Sequence, residues 1–192
     1  MLAAPLVTDA YAGTNSREVP DFNLLDLSGK NHSLRRADGW AVVLFFTGNG
    51  CPIARKSVAK LHQLRRQFGE QGVEFQLINT YAGDTLKDTR HESNELGVRQ
   101  LSYLRDPRQA VALSFGVQRT AEVVAIRTDD WSVFYQGAID DLLGQGADCG
   151  QPGQRFLATP LDEFLGGKPV TTAKSPSKGC RFTFSSATEV GG

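Results

Sequence analysis

Residues 41–55 decide the fold, and they read AVVLFFTGNGCPIAR. The first six are apolar without alternation, which is typical of a central strand covered on both faces. A small polar turn follows, and Pro52 suits the first position of a helix, where its missing N–H would be unpaired anyway. Cys51 then lies at the helix N-terminus, where the first N–H groups and the helix dipole favour a thiolate. The stretch predicts a strand, a turn and a helix that present a reactive thiol.

Composition narrows the class of protein. The chain has 192 residues, which suits one domain of ordinary size with appended segments. Its 21 basic and 21 acidic residues balance, so its charge gives no reason to expect nucleic acid or an anionic membrane as a partner. No apolar run approaches the roughly 20 residues that span a bilayer. We therefore expect no membrane-spanning segment.

Periodicity and turn residues predict the remaining elements. Extended segments are expected over residues 22–27, 32–34, 41–46, 73–79, 101–104, 122–127 and 132–136. Helices are expected over residues 52–68, 85–96 with Asp84 as the cap, 106–115, and in a short stretch near 161–165. The strand–helix–strand unit from 41 to 79 implies parallel pairing, and the last two strands should form an antiparallel hairpin at the sheet edge. A long glycine-rich loop is expected over residues 141–159.

Three cysteines, Cys51, Cys149 and Cys180, allow one disulfide with one thiol left over. Cys180 lies in a polar tail that gives it no packing reason to be cysteine, so we expect it to have a partner. We favour Cys51 as that partner, with Cys180 as a resolving or locking thiol. The alternative pairing with Cys149 would fasten the tail to the long loop and leave Cys51 free.

Several motifs carry a family resemblance. They are Val19-Pro20-Asp21-Phe22, then Asp26-Leu27-Ser28-Gly29-Lys30, then the core strand that runs into Cys51-Pro52. Together they resemble the redoxin branch of the thioredoxin superfamily, which includes the alkyl hydroperoxide reductase/thiol-specific antioxidant group and exported thiol-disulfide oxidoreductases. The resemblance implies a thioredoxin-like α/β sandwich of three layers, with a mixed central sheet, flanking helices and an N-terminal β-hairpin. It covers residues 18–167, between a flexible lead-in or signal remnant at 1–17 and a tail at 168–192.

A narrower likeness lies in residues 51–55, in residues 137–141 and in the late Gly179-Cys180 pair. These resemble a redoxin subgroup of bacterial proteins, some of which are fused to cytochrome-like or copper-oxygenase domains. The likeness implies association with a larger redox complex as one role for the chain.

The chain departs from the family pattern at three positions. Ala54 replaces the second cysteine of a Cys-x-x-Cys motif, so exchange within the motif is excluded. Gly48 holds the place of the threonine that peroxiredoxins set three residues before their cysteine, and Thr47 lies one residue too early. Ala121 stands where the superfamily usually has a cis-proline, and because a non-proline cis bond costs about 3 kcal/mol, we expect a trans, reshaped loop.

The sequence thus predicts a thiol-disulfide redox protein, with Cys51 as the nucleophilic thiol and Cys180 as its distant resolving partner. Supporting residues are expected at Thr47, Pro52, Arg55 and Thr120. No cofactor and no metal are expected; the partner is a protein thiol or disulfide or a peroxide, and the location is periplasmic or otherwise exported. The alternative function is a catalytically silent domain of the same fold that binds a partner or serves as a subunit of a redox complex.

Overall fold

The computed structural model describes residues 19–141 and 155–184. Within them, a mixed sheet of seven strands runs in the order β2-β1-β5-β4-β3-β6-β7. The strands are β1 (Asn23–Asp26), β2 (Asn31–Ser33), β3 (Ala41–Thr47), β4 (Val73–Asn79), β5 (Ser102–Arg105), β6 (Val123–Arg127) and β7 (Val133–Gly137). The α-helices of the same residues are α1 (Pro52–Phe68), α2 (Leu86–Glu95), α3 (Ala110–Ser114) and α4 (Ala158–Leu165). The expected thioredoxin-like α/β fold is confirmed, including the antiparallel β1–β2 hairpin.

Strand β3 is the centre of the sheet. It pairs in parallel with β4 and antiparallel with β6, so both of its edges are hydrogen-bonded. All seven of its residues are buried, as the unbroken apolar run predicts. Alternate side chains belong to two separate cores: one contains residues of α1 and α4, and the other contains residues of α3. Cys51 lies four residues after the end of this central, fully buried strand.

Helix α1 has the predicted bounds. Its buried side chains recur at three- and four-residue spacing and form one face against the sheet, namely Ala54, Ser57, Val58, Leu61, Leu64 and Phe68. Pro52 occupies the first helical position, and Cys51 is the residue before it, in extended backbone. The helix therefore begins at Pro52, directly after the cysteine. Proline has no N–H to donate, and this loss costs nothing at the first position of a helix.

Two helix starts differ from the prediction. Thr85, not Asp84, caps α2: its side chain accepts from the Asp88 N–H, and the Asp88 carboxylate accepts from the Thr85 N–H in return. Helix α3 is five residues long rather than ten, since the Asp106 carboxylate accepts from the backbone N–H groups of Val111 and Ala112. The side chain takes the place of the first helical turn, and the helix starts later.

The C-terminal segment returns across the domain. Lys174 forms a parallel bridge with Gln136 at the outer strand β7, and Phe182 is buried in the core that contains α3. The segment is therefore attached to the domain at Lys174 and at Phe182 rather than projecting from it. The predicted lead-in at residues 1–17 and most of the loop predicted over 141–159, with Cys149, fall outside the described residues.

Candidate functional site: a thiol pair at the start of helix α1

The turn between β3 and α1 holds Cys51. Gly50 has φ +78°, a left-handed conformation that glycine adopts without strain, and it reverses the chain toward the helix. The Cys51 N–H donates to the Gly48 carbonyl at 3.3 Å, and the Cys51 carbonyl accepts from the Arg55 N–H at 3.0 Å. The cysteine side chain is buried, with 5% of the residue exposed. The turn therefore fixes the thiol at a helix N-terminus and inside the protein.

The loop before β6 faces Cys51 from the opposite side. The Thr120 hydroxyl lies 2.9 Å from the Cys51 sulfur. Ala121 has φ +57° and donates its N–H to the Phe46 carbonyl at 2.8 Å, which extends the pairing of β6 with β3. No cis peptide bond occurs in the described residues, so the expected trans loop is confirmed. Proline could not replace Ala121 in this conformation, because its ring fixes φ near −65°.

The tail lies along the same loop. The Thr120 N–H donates to the Cys180 carbonyl at 2.9 Å, and the Phe182 N–H donates to the Gln118 carbonyl at 2.9 Å. The Arg119 guanidinium donates to the Gly179 carbonyl at 2.8 Å. A β-bridge between Arg119 and Arg181 shows that the two segments run antiparallel. We call residues 179–182 the docked tail.

The docked tail brings the second thiol to the first. The sulfurs of Cys51 and Cys180 are 2.6 Å apart, and both residues are free thiols in the structure. The Thr120 hydroxyl also accepts from the Cys180 N–H at 2.9 Å, so one hydroxyl contacts both cysteines. Cys180 itself is exposed. The two thiols lie within reach of a disulfide, with one covered and one accessible.

The surroundings shift the pKa values of the two thiols in opposite directions. Burial raises the pKa of the Cys51 thiol, but hydrogen bonds from Cys180 and Thr120 outweigh burial and hold that pKa below its ordinary value. The hydrogen bond that Cys180 gives to Cys51, together with partial burial, raises the pKa of the Cys180 thiol. The two shifts favour a thiolate on Cys51 over a thiolate on Cys180.

The other predicted supporting residues have different places. Pro52 starts helix α1 and contributes through the backbone. The Arg55 guanidinium lies against Glu95, with Nη2 2.9 Å from Oε2, so its charge is paired away from the thiols. Thr47 is buried in β3, and its hydroxyl has no hydrogen-bond partner within the described residues. Of the four, the structure brings Thr120 to the two sulfurs.

Sequence reasoning missed two carboxylates that hold the turn. The Asn49 N–H donates to the Asp84 carboxylate at 2.8 Å. The backbone of Gly50 lies near Glu92 on helix α2 and is one of the groups that oppose the rise in the pKa of that carboxyl. Glu92 is 1% exposed and accepts from the Tyr103 hydroxyl at 2.6 Å. Burial raises the pKa of Glu92, although the hydrogen bond from Tyr103 opposes this shift. The backbone two residues before Cys51 is thus anchored by a side chain from a different part of the chain.

One sequence signal points to this anchor. Thr89, Glu92 and Ser93 lie at the three- and four-residue spacing of one helical face, and all three are buried. From the sequence pattern alone, such a polar face would be predicted to face solvent. Only the packed structure shows that it covers the turn.

Comparison with known proteins gives the family. The AhpC/TSA family matches residues 16–129, which is more than half of the chain and includes the turn and Thr120. The chain belongs to the AhpC/TSA family. The match contains Cys51 but ends before the segment that carries Cys180. A search of curated proteins gave no match.

Solved structures agree with the fold. An uncharacterized conserved protein from Geobacillus kaustophilus gives a TM-score of 0.78 at 25% identity, over 88% of this chain and 92% of that one. A hypothetical protein from Sinorhizobium meliloti 1021 gives 0.78 at 25% identity, over 92% and 97%. A secreted Mycobacterium tuberculosis disulfide oxidoreductase homologous to E. coli DsbE gives 0.51 at 21% identity, over 58% and 79%. The last likeness shows a shared fold. Family and fold together support a redox role for the chain, without assigning a role to either cysteine.

Two other kinds of feature are absent from residues 19–141 and 155–184. None of their helices has the length and apolar character needed to cross a bilayer. No group of three or more histidine, cysteine or acidic side chains is placed there to hold a metal ion. The thiol pair is the feature of the described chain on which a function can be built.

Proposed function

We propose that the protein is a thiol-disulfide redox protein in which Cys51 is the nucleophile and Cys180 its resolving partner. The observation that carries the proposal is the placement of the Cys180 sulfur 2.6 Å from the Cys51 sulfur, with the Thr120 hydroxyl beside both. The motif at helix α1 has Ala54 in place of a second cysteine. The docked tail supplies the missing thiol from a distant part of the chain.

The proposed reaction is a pair of thiol-disulfide exchanges. The Cys51 thiolate attacks one sulfur of a substrate disulfide, a Cys51–substrate disulfide forms, and the other substrate sulfur leaves as a thiolate. The Cys180 thiolate then attacks the Cys51 sulfur, forms the Cys51–Cys180 disulfide and expels the second substrate thiolate. One substrate disulfide is reduced to two thiols while the two cysteines are oxidised.

Three features favour Cys51 as the attacking group. It lies at the N-terminus of α1, where the helix dipole stabilises a thiolate. Hydrogen bonds hold its pKa below the ordinary value. The Thr120 hydroxyl can donate to the sulfur as charge develops, and hydrogen bonds to charged groups are worth about 1.5–3 kcal/mol.

The partners follow from this chemistry. A protein disulfide or thiol fits the exchange, and a peroxide is the alternative oxidant, which would give the antioxidant role. A reactive pair of cysteines that forms a disulfide suits an exported or periplasmic location, because disulfides persist in oxidising compartments.

A second function is a catalytically silent domain that binds a partner, as part of a larger redox complex. The observation that favours it is the burial of Cys51 at 5% exposure beneath the docked tail, combined with Ala121 in place of the proline that shapes a substrate groove. In that case the thiol pair would fasten the tail and take no part in turnover.

Peptide mapping and activity separate the two functions. The oxidised protein is digested without reductant to locate the disulfide, and the reduced protein is assayed for disulfide reduction and for peroxide reduction. We expect a Cys51–Cys180 disulfide, activity that falls to background in Cys51→Ser, and activity that persists in the control Cys149→Ser. Equal activity in Cys51→Ser and the parent chain would overturn the redox function, and a Cys149–Cys180 disulfide with unreactive Cys51 would favour the silent domain.

A further inference from the structure

The two sulfurs of the proposed disulfide differ in access. Cys51 is 5% exposed, with the Thr120 loop on one side and the docked tail on the other. Cys180 is exposed at the surface. A thiol from a second molecule must touch the sulfur that it attacks, so the accessible sulfur is the one at which an exchange from outside can begin.

Close packing of the tail maintains this difference. Gly179 lies so near the loop that a Cβ built on it would be 1.6 Å from the Thr120 carbonyl oxygen. Phe182, two residues past Cys180, is buried in the core. Backbone hydrogen bonds from Thr120 and Phe182 hold the segment between these two points. The tail is thus fixed to the domain on both sides of Cys180.

The leaving group is also decided by the site. In an attack on a disulfide, the sulfur that is not attacked departs as a thiolate, and a sulfur of lower thiol pKa departs faster. Cys51 is the stabilised thiolate of the pair, because it lies at the start of α1 and against the Thr120 hydroxyl. Access and leaving-group stability therefore select the same direction.

We propose that the thiol reductant which regenerates the protein attacks the sulfur of Cys180, so that the mixed disulfide forms on the tail and Cys51 leaves as the thiolate. This inference rests on the proposed function. The reductant sulfur bonds to Cys180 while the Cys51–Cys180 bond breaks, and the electron pair of that bond goes to the Cys51 sulfur. A second reductant thiolate then attacks the first reductant's sulfur and releases Cys180. Two reductant thiols become one disulfide, and the chain regains two thiols.

The two halves of the cycle then use different cysteines. Substrate disulfides are reduced at Cys51, which requires the docked tail to move away. The reductant is accepted at Cys180 with the tail in place. The tail is therefore the surface for a thiol reductant, either a small thiol such as glutathione or a protein dithiol.

The test locates the first mixed disulfide. Oxidised Cys149→Ser protein is first mapped for the Cys51–Cys180 disulfide, then mixed with glutathione at less than one equivalent and quenched in acid at early times. Free thiols are alkylated, and peptides are mapped for glutathione. We expect glutathione on Cys180 and the alkyl group on Cys51 in the large majority of single adducts. The parent chain is treated in the same way, so that the result does not depend on the substitution.

Different results would contradict the direction of attack and the proposed function. Glutathione found mainly on Cys51, or equally on both cysteines, would overturn the direction of attack while leaving the disulfide and the proposed function intact. Absence of a Cys51–Cys180 disulfide after oxidation would overturn both proposals at once.

Discussion

The turn at residues 47–51 and the docked tail at 179–182 each carry one thiol, and they hold it in different ways. The turn continues from strand β3, which is paired on both edges, and runs into helix α1. The Asp84 carboxylate accepts from the Asn49 N–H of this turn, and the buried Glu92 lies near Gly50. The docked tail is held by a few backbone hydrogen bonds and by one buried ring, Phe182. The position of Cys51 is thus set by the central strand and helix of the fold, while that of Cys180 depends on the contacts of one short segment.

The pKa values of the two thiols also differ. Hydrogen bonds keep the pKa of Cys51 low despite burial, whereas the bond to its partner raises the pKa of Cys180. Two identical side chains in direct contact therefore have pKa values shifted in opposite directions. Whether the difference comes from the docked tail, from Thr120 or from charges nearby can be tested by removing each in turn.

The largest effect on the reactivity of Cys51 is expected when the docked tail is prevented from binding. In Gly179→Val, the new side chain would overlap the Thr120 carbonyl, where a Cβ would already lie 1.6 Å away. Overpacking of this kind costs roughly 1–3 kcal/mol, so the docked population should fall about 5- to 150-fold. We expect faster alkylation of Cys51 and a lower yield of the Cys51–Cys180 disulfide, both measured by peptide mapping.

Lys178→Ala is the matched control, because Lys178 is the exposed neighbour of Gly179. It should leave both measurements unchanged. If Cys51 is alkylated in Gly179→Val at the rate of the parent chain, the docked tail does not shield Cys51.

Sequence patterns predicted the segment that is local in the chain. The apolar run of β3, the glycine turn and Pro52 place Cys51 at a helix N-terminus through neighbouring residues, and the structure has the same strand and helix. Parallel pairing of β3 with β4 also follows from the order of elements. These features could be predicted because each depends on contacts within about 40 residues, including the crossover helix.

Thr120 and Cys180 were expected to act with Cys51, but the contacts that join them to it do not follow from local patterns. Thr120 is 69 residues from Cys51 and Cys180 is 129 residues away, so their approach depends on how the whole sheet closes. Asp84 was expected to cap a helix, since acidic residues favour that position, but Thr85 forms the cap and leaves Asp84 to bind the turn. Local rules cannot rank two neighbouring residues when tertiary contacts decide between them.

Removal of the Thr120 hydroxyl should give the next largest effect. Thr120→Val keeps the shape of the side chain but deletes the group 2.9 Å from the Cys51 sulfur. A hydrogen bond contributes about 1 kcal/mol net, so the rate of Cys51 alkylation at pH 7 should fall about 5-fold. The midpoint of the pH profile should move upward, because the pKa of Cys51 rises when a bond to the thiolate is lost.

Thr47→Val is the control for the same chemical change. The Thr47 hydroxyl is buried and has no hydrogen-bond partner among the described residues. Its removal should leave the pH profile of Cys51 in place. A shift of equal size in both variants would show that the Thr120 hydroxyl has no special role.

A smaller effect, on stability, is expected from the anchor of the turn. Burial raises the pKa of Glu92 in the folded protein above its unfolded value, with the Tyr103 hydrogen bond opposing. The folded state then holds a proton more tightly, so stability from this group is full below the unfolded pKa and is lost as pH rises through the folded pKa. Glu92→Gln removes this loss. The urea midpoint of the variant should therefore rise relative to that of the parent chain as pH increases from 4 to 8. The control Glu70→Gln, at an exposed residue, should keep a constant difference from the parent.

The smallest effect is expected at Arg55, one turn along α1 from Cys51. A free guanidinium there would stabilise the thiolate, but its Nη2 lies 2.9 Å from the Glu95 carboxylate, and the two side chains are 45% and 40% exposed. Paired and solvated charges act weakly at a distance, and an exposed ion pair contributes about 0–1 kcal/mol. Arg55→Gln should change the alkylation rate of Cys51 at pH 7 by less than about 2-fold, as should Lys56→Gln on the same helix. A fall as large as that in Thr120→Val would mean that the thiolate depends on long-range charge rather than on the hydrogen bonds at its sulfur.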